Sequence, residues 1–123
     1  DGICTDKLKD LASGARTLNN VVCAVGGAAI DKMPNGKDWR ARYDAKFPKQ
    51  FQVYSPYTYD ATMVLVDAMK RANSVDPKVY GPKLAATNYQ GVTAKVAFEP
   101  QGDLKNPAMT LYVYKDGKKV AIN

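Results

Sequence analysis

Few residues of this 123-residue chain have the types and spacing that catalysis requires. Two cysteines, Cys4 and Cys23, and the lack of histidine leave no four-ligand zinc set and no imidazole to activate a nucleophile. The acidic residues Asp1, Asp60 and Glu99 share no evident common pocket, and no glycine-rich phosphate loop occurs. The sequence therefore argues against an enzyme and predicts no metal site and no cofactor.

The two cysteines lie around the first predicted helix. Cys4 precedes this helix and Cys23 lies in the strand that follows it, so both could sit near the same edge of a sheet. They could form a disulfide in an oxidising compartment, or remain two buried thiols in a reducing one.

Composition and charge indicate an ordinary globular domain. The net charge is +6, but no run exceeds two basic residues, so the preference for anionic partners is weak. The length fits one domain with a modest core, and no apolar run approaches the ~20 residues of a membrane span.

The first quarter of the chain predicts a helix and then a strand. Thr5 can cap a short helix that ends near Gly14. Residues 21–25 form an apolar run without alternation, which predicts a strand buried on both faces and therefore parallel and central. Gly26 and Gly27 then allow a change of direction.

Helices dominate the middle of the chain. Asn35 can cap a helix on which Trp39, Tyr43 and Phe47 recur every four residues, an aromatic stripe expected to pack in the core. Ser55 caps the longest helix, with Pro56 in its first turn. The Asp76-Pro77 pair begins another helix that reaches about Ala86. Pro82 predicts a kink within it or a restart after Gly81.

The last third predicts a strand, a glycine-containing turn, a second strand and a tight turn. The first strand lies within residues 89–98 and runs into a turn at 99–106. Residues 108–114 form a β-rich strand that leads into a tight Asp-Gly turn at 115–118.

The motifs of the last third belong to an ordered set that runs along nearly the whole chain. The other members are Gly26-Gly27, Met33-Pro34, residues 36–39, Tyr59-Asp60-Ala61 and residues 72–77. This set resembles the periplasmic substrate-binding proteins that deliver branched-chain amino acids to ABC importers. Ala94 and Glu99 stand where that family usually has Gly and Asp.

The resemblance implies an α/β fold, part of a two-lobed type I periplasmic binding protein with three layers and mostly parallel sheets. The chain would cover about the C-terminal third, with the leader peptide already removed. Residues 1–27 and 107–123 would belong to the C-terminal lobe and residues 28–106 to the N-terminal lobe. Gly26, Gly27 and Asn106 would be hinge residues. The strand at 21–25 would lack neighbours and would pair with the remainder of the parent chain or a swapped copy.

The resemblance also implies a ligand site. An amino acid needs a carboxylate for its ammonium group, and Asp1 stands where the family has that residue; the alternative is a solvated terminus. Tyr54 stands where the family places an aromatic pocket wall, or it packs on Tyr59 as a hydrophobic staple. Donors for the ligand carboxylate would come from the absent N-terminal part. The expected partners are an aliphatic amino acid and an inner-membrane permease, in the periplasm.

A different reading is a basic winged-helix DNA binder. Three helices precede a hairpin that carries Lys115, Lys118 and Lys119. Against this, the candidate recognition helix at 78–86 has two lysines and no Arg, Asn or Gln to read bases.

Overall fold

The computed structural model describes residues 2–13 and 18–122, and the chain divides into two compact units. Unit 1 comprises Asp1–Ala29 and Pro107–Asn123, and unit 2 comprises Ile30–Asn106. The assignment of segments 1–27, 28–106 and 107–123 to two lobes stays a prediction.

After a first helix and strand, the described residues form a run of helices followed by a run of strands. The helices are α1 (Leu8–Leu11), α2 (Gly36–Lys46), α3 (Ser55–Ala72) and α4 (Pro77–Ala85), with a short 3-10 turn at Ile30–Lys32. The strands are β1 (Val22–Gly26), β2 (Asn88–Gln90), β3 (Lys95–Ala97), β4 (Met109–Lys115) and β5 (Lys118–Ala121).

Unit 1 is built on a three-stranded antiparallel sheet in the order β1-β4-β5. Cys23 pairs with Tyr112 and Val25 with Thr110. The core on one face of the sheet consists of Cys4, Leu18, Cys23, Val25 and Tyr114. The tight turn predicted at 115–118 is confirmed, since β4 ends at Lys115 and β5 begins at Lys118.

The prediction of a parallel, central strand at 21–25 was wrong for this chain. β1 is an edge strand of the described sheet and its partner β4 runs antiparallel to it. Only Cys23 and Val25 are buried, while Val22 is 61% exposed. Side chains of a strand alternate between two faces, and the core covers one face here, so the apolar residues of the other face remain in contact with solvent.

Cys4 and Cys23 are paired as a disulfide in the structure, with their Cα atoms 5.6 Å apart. This pair links the segment before α1 to the middle of β1 and lies in the core of unit 1. The Tyr114 hydroxyl donates to the Thr5 carbonyl at 2.8 Å and fixes the same segment to β4.

Unit 2 contains α2, α3, α4 and the β2–β3 hairpin. The long helix α3 packs against α4 and buries Val64 and Ala68. The predicted start of α4 is confirmed, because the Asp76 carboxylate accepts from the Lys78 N–H at 2.9 Å. The predicted restart after Gly81 was wrong, because α4 continues past Pro82 to Ala85 as one helix.

The other predicted caps differ in detail. α1 begins at Leu8 without a side-chain cap, and its predicted end at Gly14 lies outside the described residues. Ser55 is the first residue of α3, and its hydroxyl accepts from the Gln52 N–H at 3.0 Å, before the helix. Asn35 is the N-cap residue of α2, but its amide bonds elsewhere, as described below.

Candidate functional site

The main candidate site is an aromatic groove of about 720 Å³ in unit 2. Its walls come from α2, from the start of α3 and from the segment between them. The lining aromatic residues are Trp39, Tyr43, Phe47, Tyr54 and Tyr59. Polar and flexible side chains complete it: Arg42, Lys46, Gln52, Ser55, Thr58, Thr62 and Met63.

The aromatic rings of α2 and of Phe47, the residue that follows it, form a ladder along this groove. The Trp39 and Tyr43 centroids are 4.9 Å apart in a stacked arrangement, and those of Tyr43 and Phe47 are 5.2 Å apart. Tyr59 of α3 approaches Trp39 at 5.7 Å from the side. These separations are within the range of favourable aromatic pairs.

The prediction that this stripe packs in the core holds for one end only. Trp39 is 4% exposed, whereas Phe47 is 39% exposed and lines the open groove. α2 also carries the exposed ion pairs Arg40–Asp44 and Arg42–Asp38, so it lies at the surface of the unit. Periodicity identified the apolar face of α2, but it does not say how much of that face a neighbour covers.

Tyr54, the residue predicted to form a pocket wall, lines the aromatic groove and is 54% exposed. Tyr59, its predicted partner in a hydrophobic staple, lines the same groove. The structure thus brings both residues to one surface, and the ligand role of Tyr54 stays a prediction. Asp1, the predicted ammonium partner, lies outside the described residues.

A buried carboxylate holds the wall of the groove in place. Asp60 of α3 is 3% exposed and accepts three hydrogen bonds, from Val92 N at 2.8 Å, Thr93 N at 2.7 Å and Thr93 Oγ1 at 2.6 Å. We call this arrangement the carboxylate clamp. It fixes α3 to the turn between β2 and β3, next to Tyr59. No described cation forms an ion pair with Asp60, so these three donors stabilise its charge.

The start of α2 is tied to the same turn. The Asn35 side-chain amide donates to the Gly91 carbonyl at 3.3 Å, and its backbone N–H donates to the Val92 carbonyl at 3.4 Å. A Cβ atom on Gly91 would lie 2.7 Å from Cγ of Asp60, so glycine is required for the close approach. Sequence reasoning treated Asp60 as an isolated acid and missed this role. The available signal was Tyr59-Asp60-Ala61 on a helix together with a turn rich in small residues.

Tyr89 lies on the opposite face of the hairpin from Lys95, because it pairs with Val96. Burial raises the pKa of the Tyr89 hydroxyl above its ordinary value, and the nearby Tyr59 and Asp60 raise it further. The cause is the cost of placing a second negative charge in a partly desolvated region that already holds a carboxylate.

The predicted hinge residues have distinct backbone conformations. Gly27 has φ of +104°, and Asn106 has φ of +53°. Gly26 ends β1, and the Gly27 carbonyl accepts from the Thr110 hydroxyl at 2.7 Å. Left-handed φ is readily accessible to Gly and tolerated by Asn. The hinge role of Gly26, Gly27 and Asn106 stays a prediction.

Residues 2–13 and 18–122 contain no cluster of three or more acidic, Cys or His side chains that could hold a metal ion. Within the same residues, no helix is long and apolar enough to cross a bilayer.

Comparison with known proteins gives consistent results. A family model described as periplasmic binding protein matches residues 7–119. The Leucine-, isoleucine-, valine-, threonine-, and alanine-binding protein of Pseudomonas aeruginosa is 25% identical over 95 residues, which are 76% of this chain and 26% of that protein. The Leu/Ile/Val-binding protein homolog 1 of Brucella suis is 27% identical over 116 residues, which are 85% of this chain and 31% of that protein.

Two solved structures share the fold. A leucine binding protein, LivK, of Thermotoga maritima superposes with a TM-score of 0.78 at 21% identity, over 97% of this chain and 34% of that one. A putative branched-chain amino acid ABC transporter of Rhodospirillum rubrum superposes with a TM-score of 0.69 at 24% identity, over 96% and 34%. The chain thus spans about a third of the length of these relatives, and the α/β fold class is confirmed. Nothing in these comparisons supports the winged-helix reading.

Proposed function

We propose a function on the basis that this chain belongs to the periplasmic binding protein family. The chain is part of the substrate-binding component of an ABC importer, which binds branched-chain or related aliphatic amino acids in the periplasm. It binds and releases its ligand without catalysis. The observation that carries this proposal is the match over residues 7–119, joined by relatives named for leucine, isoleucine and valine binding.

The aromatic groove suits one part of the ligand, its apolar side chain, and other residues bind the charged groups. Five of the groove's twelve lining residues are aromatic, and these rings suit the apolar side chain of an aliphatic amino acid. Tyr54 supplies an exposed ring on this surface. Asp1, by the family resemblance, supplies the carboxylate for the ligand ammonium group. The ligand carboxylate binds donors in the part of the relatives that this chain does not span, so the chain alone binds weakly.

Ligand binding shifts an equilibrium between open and closed forms, and the permease recognises the closed form. Gly26, Gly27 and Asn106 absorb the backbone change. Their positions support this role, since unit 1 and unit 2 meet along the chain at residues 29–30 and 106–107.

The free edge of β1 receives another strand. β1 has one neighbour in the described sheet, β4, and its remaining edge is available for pairing. The remainder of the parent chain fills this edge, or a swapped copy does so. The disulfide between Cys4 and Cys23 forms in the oxidising periplasm and anchors the same strand.

Calorimetry on a full-length protein that contains this chain tests the proposal. We expect saturable binding of leucine, isoleucine or valine and none of glutamate or lysine. Tyr54→Ala should weaken binding about tenfold, because it removes an aromatic contact worth ~1.5 kcal/mol. Tyr80→Ala, on α4 and outside the groove, serves as the matched control and should leave affinity unchanged.

No measurable heat with any aliphatic amino acid would refute the proposed ligand class. Equal affinities for Tyr54→Ala and the intact protein would remove Tyr54 from the site while leaving the family function in place.

A further inference from the structure

A second cavity in unit 2, of about 540 Å³, has a different chemical character from the aromatic groove and shares no residue with it. We call it the basic cavity. It lies between the end of α4, the β2–β3 hairpin and the segment that follows β3. Its lining residues are Ala85, Ala86, Thr87, Asn88, Lys95, Ala97, Phe98, Lys105 and Asn106.

The strand register explains why the polar side chains of this cavity converge. Asn88 pairs with Ala97, so these residues and Lys95 share one face of the hairpin. The Lys105 backbone N–H donates to the Ala97 carbonyl at 2.9 Å, which places Lys105 beside the same strand. Two lysines therefore flank Ala97, one along its own strand and one on the adjacent segment.

The charges of the basic cavity are not balanced. Lys95 and Lys105 line it, and its wall contains no acidic residue. Neither lysine forms an ion pair with a described residue, in contrast to Arg40, Arg42 and Arg71, each of which pairs with an aspartate.

Hydrogen-bond donors accompany these charges. Thr87 is 4% exposed, and its hydroxyl oxygen accepts from Nη2 of Arg71 at 3.4 Å. Thr87 lines the cavity, and no described residue accepts its hydroxyl hydrogen, so this donor remains for a ligand. The side-chain amides of Asn88 and Asn106 add N–H donors on the cavity wall.

We propose that the basic cavity binds a small oxyanion, a carboxylate or a phosphate, through the ammonium groups of Lys95 and Lys105. The Thr87 hydroxyl and the two asparagine amides orient the bound oxygens. Charge-assisted hydrogen bonds of this kind are about twice as strong as neutral ones. The site lies within unit 2 and does not depend on the function proposed above.

The test is a titration of the ¹⁵N-labelled chain with inorganic phosphate and, separately, with succinate, at pH 7 and constant ionic strength. We expect saturable amide shifts confined to the cavity residues. Lys95→Gln and Lys105→Gln should each weaken binding at least fivefold. Lys78→Gln removes the same charge from an exposed position in the first turn of α4 and should change the affinity less than twofold.

Thr87→Val removes the donor hydroxyl with little change of shape and should weaken binding about threefold. Saturation by phosphate alone identifies a phosphate site, and saturation by succinate alone or by both identifies a site that takes carboxylates.

Three results would overturn the proposal. One is the absence of saturation by either anion. Another is equal weakening by Lys78→Gln and Lys95→Gln, which would indicate a general charge effect. The third is a lower stability of Lys95→Gln with an unchanged affinity for the anion, because the lysine would then stabilise the carboxyl end of α4 rather than bind a ligand.

Discussion

The carboxylate clamp makes the sharpest prediction about the stability of unit 2. Asp60→Asn keeps the size of the side chain and one acceptor, so Val92 N–H keeps its partner. The second oxygen, which accepts from both Thr93 N and Thr93 Oγ1, becomes an amide that donates. The Thr93 hydroxyl can turn and accept, but the Thr93 N–H loses its acceptor.

The expected cost follows from these bonds. A buried donor without a partner costs about 1–3 kcal/mol, and bonds to a charged acceptor are worth more than bonds to a neutral one. Asp60 is 3% exposed, so water cannot replace the lost acceptor. We therefore expect Asp60→Asn to lower the free energy of unfolding of unit 2 by about 2–4 kcal/mol.

Urea unfolding followed by the fluorescence of Trp39, the one tryptophan of the chain, measures this loss. Trp39 belongs to unit 2 and contacts Tyr59, next to the clamp. Asp67→Asn is the matched control, since it makes the same change on the same helix but removes a surface pair with Arg71. That pair is worth about 0.3–0.5 kcal/mol.

Equal urea midpoints for Asp60→Asn and Asp67→Asn would refute the reasoning, because the three hydrogen bonds would then contribute no more than a surface ion pair. Thr93→Val offers a second check. It removes only the hydroxyl bond of the clamp and should cost about 1–2 kcal/mol, between the two aspartate variants.

Three further predictions concern single features. Replacing Cys4 and Cys23 by Ser should lower the free energy of unfolding of unit 1 by about 3 kcal/mol, because the disulfide joins residues 19 positions apart. Amide hydrogen exchange in β1 measures this loss, and a value below about 1 kcal/mol would contradict the prediction. Burial raises the pKa of the Tyr114 hydroxyl, so the unfolded chain loses the hydroxyl proton at a lower pH than the folded chain does. The free energy of unfolding of unit 1 should therefore fall above pH ~10. Tyr114→Phe should reduce that fall, and an unchanged dependence of stability on pH would exclude Tyr114 as its source. Gly91→Ala should lower the free energy of unfolding of unit 2, because its Cβ crowds the clamp carboxylate. Gly81→Ala, in open space on α4, should lower it much less, and equal losses for the two variants would refute the crowding argument.

The sequence by itself determined the features that depend on neighbours along the chain. The start of α4 is visible in Asp76-Pro77, because a side-chain acceptor and a fixed φ act within one turn. The turn between β4 and β5 is visible in Asp-Gly at 116–117 for a similar reason. The ordered motifs also identified the family before any fold was known.

The tertiary structure alone decided the features that depend on distant contacts. The place of β1 at a sheet edge followed from its pairing with β4, about 85 residues away, and local apolarity could not specify that partner. The aromatic stripe of α2 became a groove wall because its neighbours cover only Trp39 fully. Asp60 gained its role from donors 32 and 33 residues later in the chain. A carboxylate can be buried only where such donors meet it, and only the folded chain brings them there.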